Sequence, residues 1–226
     1  MKKILSIFLV LIVFQGCAAL ATETKLQAFP GMYDERQPLS ILVVPAINKT
    51  TAAEASEFFN ISITEPLSNS GYYTMPVEIV RDIFLKEGVV DSSMIINLPM
   101  SVFKNSFGAD AVLFVTINQW DKNYIVIAGN VTVGMDYVMK STDSGEILWQ
   151  YSATTVLNTS GDSGFFLTDI ITTAINTAAA NYLPVAMQAN YQAFTALPHG
   201  KYSKLHRQDG DVGVVYKVLK DKASNQ

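Results

Sequence analysis

The sequence predicts one α/β domain, with a mixed sheet, early helical crossovers, a C-terminal antiparallel meander and a long C-terminal helix packed on it. Three observations predict this class. Two runs, 40–45 (SILVVP) and 109–117 (ADAVLFVTI), are almost continuously aliphatic and β-branched, as strands covered on both faces are. Apolar residues at helical spacing fill the interval between the runs. Beyond them, Val131, Val133, Met135, Tyr137 and Met139 alternate with Thr132, Gly134, Asp136 and Lys140, the period of a strand with one wetter face.

Taken in order, the chain opens with Met1, Lys2 and Lys3 and runs on through residues 4–14, where only Ser6 is polar. A basic start before a short apolar run is the layout of an export leader. The run is about half of the ~20 residues that a membrane-crossing helix needs, so residues 1–16 are expected to be removed as a signal peptide. Residues 17–38 lack periodicity and are punctuated by Pro30, Gly31 and Pro38, which reads as a tether. The domain is expected over 39–198 and a polar, mobile tail over 199–226.

Within the domain, Thr50 or Thr51 is placed to cap a helix reaching about Leu67, with Ala55, Phe58, Phe59 and Ile63 on its buried side. Asn69, Ser70 and Gly71 stop it. A short strand at 72–75 precedes a second helix with Pro76 as its first residue and Ile79, Val80, Ile83 and Phe84 as its stripe. A third helix is expected over 99–107. After the strand at 109–117, Gln119 to Asn123 reads as a hairpin loop. Residues 142–145 (TDSG) read as the turn into a return strand at 146–156. A long helical region, 165–194, is expected to bend at Pro184.

Cys17 is the only cysteine, which excludes an internal disulfide. It follows Gly16 at the end of the apolar run, and this junction resembles the lipobox of bacterial lipoproteins, with Phe14 where that pattern usually has Leu. The resemblance implies cleavage before Cys17 and acylation of its thiol. Ala18, rather than Asp, after the cysteine implies sorting to the outer membrane. Several acyl chains, at about 0.8 kcal/mol per buried methylene, would hold the protein durably. Loss of the leader removes Lys2 and Lys3 and takes the formal charge from −4 to −6. A mildly acidic chain with no basic face for neutralising phosphates argues against nucleic acid as a partner.

Catalytic and metal-binding patterns are sparse. His199 and His206 are the only histidines, and neither has the company that a zinc site requires. Residues 160–164 (SGDSG) lack the strand-turn-helix setting of a nucleophile elbow and read as a hinge. Asp110, at the mouth of a strand, reads as a capping or pairing residue. No cofactor is expected. Among the aromatics Trp120 stands out, because at a hairpin turn it would be an exposed anchor for a partner. The small side chains of Thr168, Thr172, Thr173, Ala174, Thr177, Ala178, Ala179 and Ala180 suit packing on the sheet, or self-association.

Four stretches, in order, resemble a family of bacterial lipoproteins of the meningococcal surface type that has no assigned biochemical function: 40–48 (SILVVPAIN), 66–76 (PLSNSGYYTMP), 107–114 (FGADAVLF) and 143–149 (DSGEILW). The likeness covers residues 17 to about 200. It implies a fold similar to the TolB N-terminal domain and to the lipoprotein activators of penicillin-binding proteins. It also implies a periplasmic setting, often in genetic neighbourhood with a lipoprotein like the curli secretion channel, and it brings no catalytic residues. The resulting expectation is an outer-membrane-anchored periplasmic lipoprotein, not an enzyme, that binds envelope proteins in an export or cell-surface system. The alternatives are an envelope enzyme or small-ligand carrier with a concealed pocket, and a structural lipoprotein that self-associates.

Overall fold

A computed structural model of the chain describes residues 22–125, 128–158 and 183–215. Strand β1 (Thr22–Thr24) leads directly into helix α1 (Lys25–Ala28) and a 3-10 turn (Pro30–Met32). Strands β2 (Ser40–Val43) and β3 (Ile47–Asn48) precede helix α2 (Ala55–Asn69). Strand β4 (Tyr73–Thr74) is followed by helices α3 (Val77–Lys86), α4 (Ser92–Ile95) and α5 (Met100–Phe107). Three long strands come next, β5 (Ala111–Ile125), β6 (Ala128–Ser141) and β7 (Ile147–Asn158), then helix α6 (Leu183–Phe194) and strand β8 (Gly213–Val215).

The main sheet has the order β4-β2-β5-β6-β7, with β3 also paired to β5. β2 runs parallel to β4 and β5, whereas β5, β6 and β7 form an antiparallel meander. The mixed α/β class is thus the one read from the sequence. Alternation along β2 sends Ile41 and Val43 to a larger core under α2 and α6, and Leu42 and Val44 to a smaller one under α3, α4 and α5. Its unbroken apolar run therefore reflects burial on both faces. In the larger core Trp149 stacks on Tyr151 with centroids 6.0 Å apart and also meets Tyr137 and Phe194. Phe103 packs edge-on against Phe84 and Phe114 in the smaller one.

Several boundaries differ from expectation for identifiable reasons. Thr50 does not cap α2, because its backbone N–H and hydroxyl both donate to Asn48 Oδ1, at 2.9 and 2.8 Å, in an Asx turn. Pro76 sits one residue before α3 with extended ψ, and α4, capped by Asp91, is too short to leave a periodic trace. The hairpin loop expected at 119–123 is strand: β5 continues to Ile125, paired with Ala128. Of the helix expected over 165–194, only Leu183–Phe194 falls among the described residues.

Both expected flexible ends need correction. Residues 22–38, expected as part of a tether, belong to the fold. β1 pairs with β8, Thr24 and Gln27 form a capping box, and Phe29 and Met32 reach the larger core. Burying two such side chains is worth roughly 1.5–3 kcal/mol each, enough to order a segment without periodicity. The tail after Pro198 is likewise packed as far as β8, with Val214 in the core and Asp209 buried.

Candidate functional site

The sequence-predicted site residues part company in the structure. Cys17 and the 160–164 stretch lie outside the described residues. Trp120 is not an exposed anchor: it is 4% exposed and belongs to the larger core. The cause is a bulge. Ile117 pairs with Met135, but Gln119 pairs with Gly134 and Trp120 with Val133, so Asn118 is the extra residue. One inserted residue exchanges the faces of everything after it, and Trp120 turns inward beside Ile117 and Val133.

Asp110 has the structural role read from its position. Its Oδ2 accepts from the Leu39 and Ser40 backbone N–H groups, at 3.1 and 3.0 Å, and from the Ser40 hydroxyl. Lys104 Nζ lies 3.4 Å from Oδ1. Partial burial works to raise its pKa, but these donors outweigh it and hold the carboxyl below its ordinary range. The two histidines are neighbours in the fold. His206 Nδ1 lies 3.4 Å from the His199 carbonyl oxygen, and His199 Nδ1 lies 3.3 Å from Ser203 Oγ. Among the described residues there is no cluster of three or more His, Cys, Asp or Glu.

The chemistry that the sequence did not disclose lies where the segment after Thr22 meets the segment after Leu197. Lys25 Nζ donates to Asp209 Oδ2 at 2.9 Å, with the two side chains 4% and 8% exposed, and to the Leu197 carbonyl at 3.0 Å. Tyr33 donates its hydroxyl to Asp209 Oδ1 at 3.0 Å, and the His199 N–H donates to Oδ2 at 3.1 Å. Burial pushes against ionisation of Asp209. The Lys25 ammonium and these two donors prevail and hold the carboxyl below its usual value. Burial and then the neighbouring carboxylate push the Tyr33 hydroxyl far up. A carboxylate so fully committed is a poor general base, and the arrangement is a clasp. Lys25 and Asp209 are 184 residues apart, and neither has a local pattern that announces the other.

Beside the clasp runs an open groove of about 570 Å³ lined by Lys25, Ser70, Tyr191, Phe194, His199 and Leu205, among others. A second, polar groove of about 470 Å³ crosses the meander, on the part of the sheet face that α3, α4 and α5 leave uncovered. Its side chains largely satisfy one another: Asn118 Nδ2 and the Ser152 hydroxyl both donate to Asp136. No helix among the described residues is long and apolar enough to cross a membrane.

A mixed sheet flanked by helices, with strand β1 clasped to the segment that carries β8, defines an α/β domain. The chain belongs to the family described as "Putative lipoprotein GNA1162-like", whose model matches residues 31–201. It is similar to "Putative lipoprotein NMB1124/NMB1162" of Neisseria meningitidis serogroup B, with 26% identity over 147 residues, 65% of this chain and 68% of the relative. Among solved structures it is similar to lipoprotein GNA1162 from Neisseria meningitidis, with 28% identity and a TM-score of 0.52, over 61% of this chain and 95% of that one. The PelC dodecamer from Paraburkholderia phytofirmans aligns over 75% of this chain and 92% of its own, at 16% identity and a TM-score of 0.44, too remote to carry a functional argument.

Proposed function

We propose that the protein is an outer-membrane lipoprotein, acylated on Cys17 and facing the periplasm, that works by binding other envelope proteins in an export or cell-surface assembly system. Membership of a lipoprotein family, joined to the Gly16–Cys17 junction after an apolar leader, carries this reading. The anchor then accounts for the lone cysteine, and place and contact become the function. Asp110 and Asp209 support a binding role over a catalytic one, since each is committed to fixed donors that hold the backbone together. A channel-forming lipoprotein is the first partner class to look for.

Membrane fractionation and mild crosslinking of the wild type and Cys17→Ser test the reading. The wild type should sediment with outer membrane, carry an acylated Cys17 by mass, and crosslink to a discrete envelope protein that Cys17→Ser recovers poorly. An unmodified Cys17 in the native host would overturn the anchor. Absence of any envelope protein from both samples would overturn the binding role. The polar groove across the meander supports a second reading, a small-ligand carrier, which predicts that Asp136→Ala releases a molecule co-purifying with the wild type.

A further inference from the structure

We infer that residues 199–207 form a membrane-docking surface that lays the anchored end of the domain against anionic phospholipid headgroups. The inference rests on the proposed lipid at Cys17 and adds to it a second, independent contact with the same membrane. Lys201, Lys204 and Arg207 are all exposed. Tyr202 and Leu205 between them are 69% and 51% exposed. No acidic residue occurs from 199 to 208 in a chain whose formal charge is otherwise negative. Basic side chains with apolar stems, interleaved with an aromatic and an aliphatic residue, suit the boundary between headgroups and acyl chains.

The backbone of this segment is fixed, so little order remains to be imposed on binding. The Gly200 N–H donates to the Ser70 carbonyl at 2.8 Å, the Tyr202 N–H to the Gly71 carbonyl at 3.1 Å, and Arg207 Nη2 to the Asp34 carbonyl at 3.3 Å. Nearby acids are partly neutralised: Lys25 holds Asp209 and Arg36 holds Asp34, while Glu35 and Asp211 stay exposed. Position selects a lipid surface over a soluble acidic partner. The Lys25 and Leu26 N–H groups donate to the Val212 and Gly210 carbonyls, so the chain enters the fold against the same C-terminal segment. Thr22 is five residues from Cys17, a reach of roughly 17 Å when fully extended. Acyl chains on Cys17 would therefore keep this end close to headgroups, and the exposed Leu26 and Val212 extend its apolar edge.

Two experiments test docking apart from anchoring. The mature chain carrying Cys17→Ser, which bears no acyl group, is sedimented with vesicles of phosphatidylcholine alone or with a minority of phosphatidylglycerol. Binding should require phosphatidylglycerol, weaken with added salt, and fall by about tenfold or more in K201Q/K204Q/R207Q. Equal binding to both vesicle types, binding to neither, or wild-type binding by the triple variant overturns the proposal. In the lipidated chain, Tyr202→Trp places an exposed indole in the segment, while Trp120 and Trp149 are buried. Reconstituted with brominated lipid, its emission should be quenched relative to unbrominated lipid, and unchanged emission overturns docking. Failure of the anchor itself would appear separately, as an unmodified Cys17.

Discussion

Asp209 is held by a cation, a phenol and a backbone amide at once, and the consequences of losing its charge follow from electrostatics. Asp209→Asn would leave the Lys25 ammonium buried without a counter-charge, at a cost of about 3 kcal/mol near neutral pH. The folded carboxyl titrates below its ordinary value, so its contribution is complete above about pH 4 and fades as pH falls through the lower folded value. Urea unfolding should therefore show a gap between wild type and variant at pH 7 that narrows toward pH 3. A gap that held constant would mean the charge is irrelevant. Tyr137 offers a neutral counterpart. Its hydroxyl donates to Asn190 Oδ1 at 2.8 Å, Asn190 Nδ2 donates to Ser62 Oγ at 2.9 Å, and Ser62 donates to the Phe59 carbonyl. This chain ties β6 to α6 and α2. Tyr137→Phe leaves a buried acceptor unpaired and should cost about 1–3 kcal/mol, with no change in that cost between pH 5 and pH 8 as measured by thermal unfolding.

At the level of elements, what the sequence disclosed depended on whether an element's pattern was local. β2 and β6 were legible because alternation, or its absence, is written along the strand itself. β5 beyond Ile117 is not, since the bulge at Asn118 breaks the period that such reading relies on, and sequence alone therefore puts Trp120 on a turn although it lies in the core. The C-terminal segment is a further case, seated at its start by two glycines in close approach. A Cβ on Gly200 would lie within about 3 Å of Gly71 main-chain atoms, and Gly71, at φ +91°, faces Ser203 just as closely. Gly200→Ala must push the segment away from α2, because main-chain atoms cannot rotate aside as a flexible side chain can. Limited trypsin digestion should then cut after Lys201, Lys204 or Arg207 several-fold faster than in wild type. Unchanged protection would show that the contact is dispensable.

For the whole molecule, the first and last described strands close the fold together: β1 pairs with β8, and Lys25 pairs with Asp209. Deleting residues 199–226 should therefore act as a core lesion rather than as the trimming of a tail. It removes Asp209, leaves Lys25 unneutralised and strips the partner of β1, so the melting temperature should fall on the order of 10 °C. A truncated chain that melts with wild type would restore the mobile tail that composition suggests. The same closure would give the proposed lipid on Cys17 a mechanical meaning, because Cys17 lies only five residues before the first described strand. A lipid there would hold a folded end of the domain at the membrane rather than a domain on a long leash.

The sequence by itself determined the leader-like start, the lone Cys17, the class of the sheet and the two-sided burial of its central strands. Each is a property of neighbouring residues: a run, a spacing or an alternation. Only the tertiary structure decided that residues 22–38 and 199–215 are part of the fold, that Trp120 points inward, and that Lys25 and Asp209 neutralise each other. Those facts depend on contacts between residues far apart in the chain, on one bulge and on two glycines in close approach, and none of these leaves a period in the sequence.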